Sequence, residues 1–240
     1  MELQFKIFRF DPEIDKEPYY RTYTVNAEPW ERLLDCLNRI KWEQDGTLSY
    51  RHSCAHGVCG SDAVKVNGRC ALACQKLVKD YADNEIVLEP LPAFKVLKDL
   101  IVDLTPFFER VEWVRPYLIA SDPPQEERLQ SQADRKKFDN AIRCILCACC
   151  SAQCPVCQEN KDFIGPAPLV QAFRRIFDSR DEEREERLKQ LDYPNGVWAC
   201  ENRYECTRVC PKEIPVTKDI NLMKAEIKKA ASQRPQHITY

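Results

Sequence analysis

An α+β fold in two parts, a small strand-and-helix domain followed by a helical one, is predicted by three observations. Apolar residues alternate at period two near the N-terminus, they recur at helical spacing in the second half, and fourteen cysteines fall in clusters that interrupt both parts. The 240 residues are 44% hydrophobic and 31% charged, which suits two small cores better than one large one.

The elements follow in order. Leu3, Phe5 and Ile7 alternate with Glu2, Gln4 and Lys6, as in a half-buried strand, and Tyr20 to Val25 offers a second strand after the turn-forming Asp11-Pro12. Pro29 opens a stretch where Leu33, Leu34, Leu37 and Ile40 recur at helical spacing, with Cys36 on the same face, and Ile86 to Leu91 reads as another strand. Strands around one helix make a small α+β domain, assigned to residues 1–105. Apolar residues from Val96 to about Tyr117 favour helix, and the polar stretch Ser121-Asp-Pro-Pro with Glu126, Glu127 and Arg128 reads as a linker. Helices are expected over Ala167 to Phe177 and Lys218 to Ala230 in the second domain, residues 106–240. The run Arg180-Asp-Glu-Glu-Arg-Glu-Glu-Arg is expected to be a solvated helix face without a function.

A net charge of -2 with both signs interspersed offers no basic face for a phosphate backbone, so nucleic acid is excluded as a partner. No apolar run of membrane-spanning length and no signal-peptide pattern is present, which predicts a protein that stays in the cytoplasm. There, reduced cysteines in such number point to metal.

Cys144, Cys147, Cys150 and Cys154, followed by Pro155, have the C-x2-C-x2-C-x3-C-P spacing in which three thiolates hold one cubane and the fourth ligates a second cluster. Cys200, Cys206, Cys210 and Pro211 repeat it, with Arg203 where the second cysteine would stand. Exchange between the runs gives Cys144, Cys147, Cys150 and Cys210 to a [4Fe-4S] cluster and leaves Cys154, Cys200 and Cys206 for the other. An arginine stays protonated and cannot donate a lone pair to iron, so that second centre is expected to be [3Fe-4S]. Structural zinc needs only one four-cysteine set and gives the doubled, reciprocal run no role. Cys149 and Cys157 fit neither cluster by spacing and either line the clusters or pack as small apolar residues.

Cys54-Ala-His-Gly-Val-Cys59 has the C-x4-C spacing of a [2Fe-2S] loop, with Gly57 and Gly60 suited to a chain wrapping closely round a cluster. The next ligand position is Asp62, whose carboxylate could bind iron or could be a surface group. Either Cys70 or Cys74 could close the site.

These segments together resemble the iron-sulfur subunit of succinate dehydrogenase and fumarate reductase, the respiratory complex II family, over nearly the whole chain. The resemblance rests on Ser53 to Asp62, Lys98-Asp-Leu-Ile-Val-Asp103, Arg115-Pro-Tyr-Leu118, Cys144 to Cys150, Phe163-Ile-Gly-Pro-Ala167, Asp178-Ser-Arg180 and Val209-Cys-Pro-Lys212. It implies an N-terminal β-grasp [2Fe-2S] ferredoxin domain and an all-α helical ferredoxin domain with the [4Fe-4S] and [3Fe-4S] clusters. It also implies the [2Fe-2S] ligands Cys54, Cys59, Asp62 and Cys74, because some bacterial members carry aspartate at that position. The implied partners are a flavoprotein with covalent FAD, which oxidises succinate, and a membrane anchor usually carrying haem b and completing a quinone site. The chain would then sit peripherally at the cytoplasmic face of the bacterial inner membrane. Members that use ubiquinone usually carry a tryptophan pair after the cysteine matching Cys154 and a histidine near the second run. Here Pro155, Val156 and Glu201 occupy the quinone vicinity, which brings menaquinone in beside ubiquinone. Alternatives are the same subunit in a quinol:fumarate reductase, which Asn195-Gly-Val-Trp198 resembles, or a free multi-cluster ferredoxin.

Overall fold

A computed structural model describes residues 1–81, 85–121 and 124–232. Strand β1 (Glu2–Arg9) is where the sequence pattern places it, with Leu3, Phe5, Ile7 and Arg9 on the buried face. Phe5 and Ile7 are fully buried, each contributing about 1.5–3 kcal/mol. β1 pairs antiparallel with β2 (Tyr19–Asn26), Phe5 opposite Tyr23. Helix α1 (Leu33–Arg39) runs on into one π-helical turn, Ile40–Gln44, and buries Leu33, Leu34, Cys36 and Leu37. Cys36 is a core residue, and burial pushes its thiol up to about 12. The hairpin of β3 (Ala63–Val66) and β4 (Arg69–Leu72) joins β5 (Ile86–Glu89), which lies parallel to β1 with Phe5 opposite Ile86. The sheet order β2-β1-β5-β3-β4, with α1 against it, is the expected N-terminal domain.

The stretch expected to be helical from Val96 to Tyr117 divides. A ribbon of β6 (Val96–Lys98) and β7 (Ile101–Val102) comes first, and only α2 (Thr105–Trp113) is helical. The cause is Asp99 at the ribbon turn, with φ of 47°. Its carboxylate accepts from Arg9 Nε at 3.0 Å and from the N–H groups of Phe10 and Ser49 at 2.9 and 2.8 Å. Arg9 also donates to Asp45 at 2.6 Å, so this network, buried beneath β1, outweighs local propensity. α2 then spans both cores: Phe107 and Val111 pack with the sheet, and Val114 just beyond packs with the helices.

The second half holds short helices α3 (Gln132–Lys136), α4 (Cys149–Gln153) and α5 (Pro155–Glu159), then α6 (Pro166–Ile176), α7 (Arg184–Leu191), α8 (Glu205–Arg208) and α9 (Val216–Ser232). α6 is buried nearly all round, and α9 packs along it through Val216, Ile220, Met223 and Ile227. Among the described residues no helix is long and apolar enough to cross a membrane. Asp122 and Pro123 of the expected linker lie outside the described residues. On either side, Ser121 donates to Glu182 at 2.7 Å and Gln130 to Asp178 at 2.9 Å.

The charge run 180–187 is only in part a solvated face: Glu182, Glu185 and Glu186 are exposed. Only its last four residues are helical, and Asp181 and Arg187 are buried. The Arg187 guanidinium meets both Asp181 oxygens at 3.0 Å and donates to the carbonyls of Val114, Arg115 and Tyr117. It therefore clamps the chain leaving α2 to the helical domain. Replacing Arg187 with Met strands a buried carboxylate and three carbonyls, and should lower stability by about 3–5 kcal/mol, read from the denaturation midpoint. The double variant with Asp181→Asn should recover part of that loss.

Candidate metal centres

Two cavities collect the C-terminal thiols crosswise. Cys144, Cys147, Cys150 and Cys210 line one, closed by Ala167 and Val170 of α6 and Val216 of α9. Cys154, Cys200 and Cys206 line a second, together with Arg203, Pro155, Val156 and Glu201. Thus each run contributes a cysteine to the cavity of the other. Among the described residues no three His, Cys, Asp or Glu side chains close on the position of a single metal ion.

The repeat seen in the spacing extends to the backbone. A 3-10 turn precedes each run, Ala141–Arg143 and Val197–Ala199, and a short helix follows five residues after the first cysteine. Leu146 and Ala148 flank Cys147 with φ of 54° and 64°, while Asn202 and Tyr204 flank Arg203 with φ of 58° and 64°. Arg203 thus stands on the backbone position that Cys147 holds in the first run. Its side chain turns out to solvent and pairs with Glu201 at 3.0 Å.

The N-terminal loop gathers Cys54, Cys59, Asp62 and Cys74. The backbone N–H groups of His56, Val58 and Cys59 point at Cys54 Sγ from 3.5, 3.3 and 3.3 Å. Those of His56 and then Cys59 act most strongly, drawing the thiol down to about 6. Asp62 is 3% exposed, so it is not a surface carboxylate. Its Oδ2 accepts from the Cys74 N–H at 2.6 Å, whereas Oδ1 is buried without a hydrogen-bond partner. A buried, orphaned carboxylate oxygen is costly in an apoprotein and is what an iron ligand requires. The residues present therefore fit a cluster at this loop. Burial, reinforced by Asp62, pushes the Cys74 thiol up to about 12. Cys70 sits instead on β4, where its N–H donates to Gln153 of α4 at 2.7 Å.

The two loops meet at Gly60. With φ of 72° it is open to glycine, and a Cβ there would lie 2.8 Å from the Cys147 Cβ. A Cβ on Gly57 would likewise strike the Gln75 side chain at 2.2 Å. The [2Fe-2S] loop and the first C-terminal run thus touch backbone to side chain.

Several contacts to these thiols carry no spacing signal. Gln171 of α6 hydrogen-bonds Cys144, Thr217 Oγ1 lies 3.4 Å from Cys206 Sγ, and Ile214 N–H lies 3.4 Å from Cys210 Sγ. Cys149 and Cys157 are buried, and they hydrogen-bond Cys147 and Cys154 respectively. Burial raises the thiols of Cys144, Cys150, Cys206 and Cys210, so loading with metal must expel protons from them.

A family of 2Fe-2S iron-sulfur cluster binding domains matches residues 4–109, and one of 4Fe-4S dicluster domains matches residues 140–214. The succinate dehydrogenase iron-sulfur subunit of Coxiella burnetii is 43% identical over 229 residues, covering 94% of this chain and 97% of that protein. This chain belongs to the succinate dehydrogenase iron-sulfur subunit family. A mitochondrial subunit of Arabidopsis thaliana, succinate dehydrogenase [ubiquinone] iron-sulfur subunit 3, is 40% identical over 93% of this chain and 74% of its own length. In fold, a chain of the Mycobacterium smegmatis Sdh1 complex superposes with a TM-score of 0.85 over 98% of both chains, at 24% identity. The iron-sulfur subunit described here is thus an electron-transfer component of an enzyme complex, with a sheet-rich 2Fe-2S domain ahead of a helical 4Fe-4S domain.

Proposed function

We propose that this subunit relays electrons from a flavoprotein with covalent FAD, where succinate is oxidised, to a quinone held by a membrane anchor. Cys54, Cys59, Asp62 and Cys74 hold a [2Fe-2S] cluster; Cys144, Cys147, Cys150 and Cys210 hold a [4Fe-4S] cluster; Cys154, Cys200 and Cys206 hold a [3Fe-4S] cluster with Arg203 at the vacant fourth position. When bound, such clusters supply one-electron steps whose potentials follow cluster type, hydrogen bonds to sulfur and exposure. The observation that carries this reading is the crosswise collection of thiols into two cavities, one with four and one with three.

The protein's part is positioning. Gly60 holds the [2Fe-2S] loop on Cys147, and Cys150 stands close enough to Cys206 to sense its charge. An ordered path from the N-terminal loop through the four-thiol to the three-thiol cavity follows from these contacts. Pro155, Val156 and Glu201 then form the wall nearest a quinone, menaquinone or ubiquinone. The anchor, carrying haem b, places the subunit at the cytoplasmic face of the bacterial inner membrane. The division into domains is placed at residues 105 and 106.

Purification of the native complex tests this directly. The subunit should copurify with a flavoprotein and an anchor, contain iron and acid-labile sulfide, show three distinct paramagnetic centres, and support succinate-to-quinone electron transfer. Zinc in place of iron would overturn the reading, and quinol-to-fumarate rates exceeding succinate oxidation would reverse its direction.

A further inference from the structure

Two threonine hydroxyls, of Thr217 and Thr207, have no part in the thiol count. Thr217 stands in the first turn of α9 and is 1% exposed, among the apolar residues Val216, Ile220 and Met223. Valine has nearly the same shape, so packing alone does not account for an oxygen there. Thr217, Ile220 and Lys224 share one flank of α9 by helical spacing. Thr217 and Ile220 line the three-thiol cavity, and Lys224 Nζ donates to the Cys200 carbonyl at 2.7 Å, so this flank faces the second run.

The hydrogen bonds at Thr217 have a direction. Its N–H, one of the first-turn donors that a helix leaves unpaired, donates to Thr207 Oγ1 of α8 at 3.1 Å. The two hydroxyl oxygens lie 3.1 Å apart, and Thr217 Oγ1 lies 3.4 Å from Cys206 Sγ. Beside a free thiol either atom of that last pair can donate. A cysteine bound to iron is a thiolate and carries no proton, so there Thr217 must be the donor. Its one hydroxyl proton then points at sulfur, and its oxygen accepts from the Thr207 hydroxyl. Thr207, whose oxygen already accepts the Thr217 N–H, keeps its own proton to donate. The order Thr207 to Thr217 to Cys206 satisfies all three contacts.

We propose that this pair is a hydroxyl relay that sets the potential of the three-thiol centre, donating more strongly to the Cys206 thiolate when that centre is reduced. This rests on the reading that Cys154, Cys200 and Cys206 hold a cluster. Reduction brings one electron from the four-thiol centre, and its charge spreads onto the sulfurs. A hydrogen bond to sulfur strengthens as the acceptor becomes more negative, so the relay stabilises the reduced state and raises the potential. Thr207 polarises the Thr217 hydroxyl and adds to the effect. Both oxygens keep their protons and no covalent bond changes; when the electron leaves for quinone the relay relaxes. Because Thr217 is buried, water does not take over when its hydroxyl is removed. The two threonines are positioning residues, acting through Cys206.

The test is a redox titration of the intact complex, each centre followed by electron paramagnetic resonance, in Thr217→Val, Thr217→Ser and Thr207→Val. Thr217→Val keeps the shape and removes the donor. At a fixed ambient potential the ratio of reduced to oxidised three-iron centre should be about tenfold lower than in the wild type, which is about 60 mV for one electron. Thr217→Ser returns the hydroxyl without the methyl and should restore the wild-type potential. Thr207→Val should give a smaller fall in the same direction. The two-iron and four-iron potentials should stay where they are. An unmoved three-iron potential in either valine variant, a fall that Thr217→Ser does not reverse, or an equal fall at the four-iron centre overturns the proposal. If Thr217→Val does not assemble, Thr207→Val decides by the same titration. Absence of a three-iron signal in the wild type would instead overturn the ligand assignment.

Discussion

Arg203→Cys should convert the three-iron centre into a four-iron one. The backbone on both sides of Arg203 repeats that of Cys147, including the flanking pair of left-handed residues, and Arg203 stands at the rim of the three-thiol cavity. A cysteine there needs no rearrangement to present its sulfur. Little is lost in exchange, since the Arg203 pair with Glu201 is exposed and worth about 0–1 kcal/mol. The signal of an oxidised [3Fe-4S] cluster should vanish and that of a second reduced [4Fe-4S] cluster should replace it. Cluster type is a main determinant of potential, so that centre's potential should drop by on the order of 100 mV, roughly a 50-fold change in where the electron rests. Quinone reduction should slow accordingly. An unchanged three-iron spectrum in the variant would rule out Arg203 as the vacant corner.

Cys210→Ala should be more damaging still. Cys210 belongs to the second run by sequence but faces the first cavity, so its loss leaves Cys144, Cys147 and Cys150 one ligand short. Succinate-to-quinone transfer should fall by at least about 100-fold, the upper range for losses one shell further from a metal. Metal binding energy is also folding energy, so the helical domain should unfold at lower denaturant. Succinate oxidation with a soluble dye that accepts electrons ahead of this subunit should survive. Cys36→Ala, on the buried face of α1, is the control and should keep the full complement of iron.

Much of the site was legible because its ligands lie on short local loops. The spacing from Cys144 to Cys154 and its altered copy from Cys200 to Cys210 group the same thiols that the fold gathers crosswise into two cavities. Period-two and helical spacing likewise located β1, α1, α6 and α9. The spacing left Cys70 and Cys74 as rivals; in the fold the Cys70 backbone N–H donates to Gln153 and that of Cys74 to Asp62, contacts that no spacing reveals.

What failed did so where long-range partners outweigh local preference. Charged residues at 180–187 read as solvated because nothing in that stretch reveals that the carbonyls of Val114, Arg115 and Tyr117 need a donor. The ribbon at 96–102 read as helix because Arg9, some ninety residues earlier, is what holds Asp99 at its turn.

The sequence by itself determined which thiols group together in each C-terminal run and the family to which the chain belongs, because donor chemistry and loop spacing are local properties. Tertiary structure alone decided the contact of Gly60 with Cys147 and the burial of Arg187 against Asp181. Each depends on the desolvation and steric fit of segments distant in the chain, which no local pattern encodes.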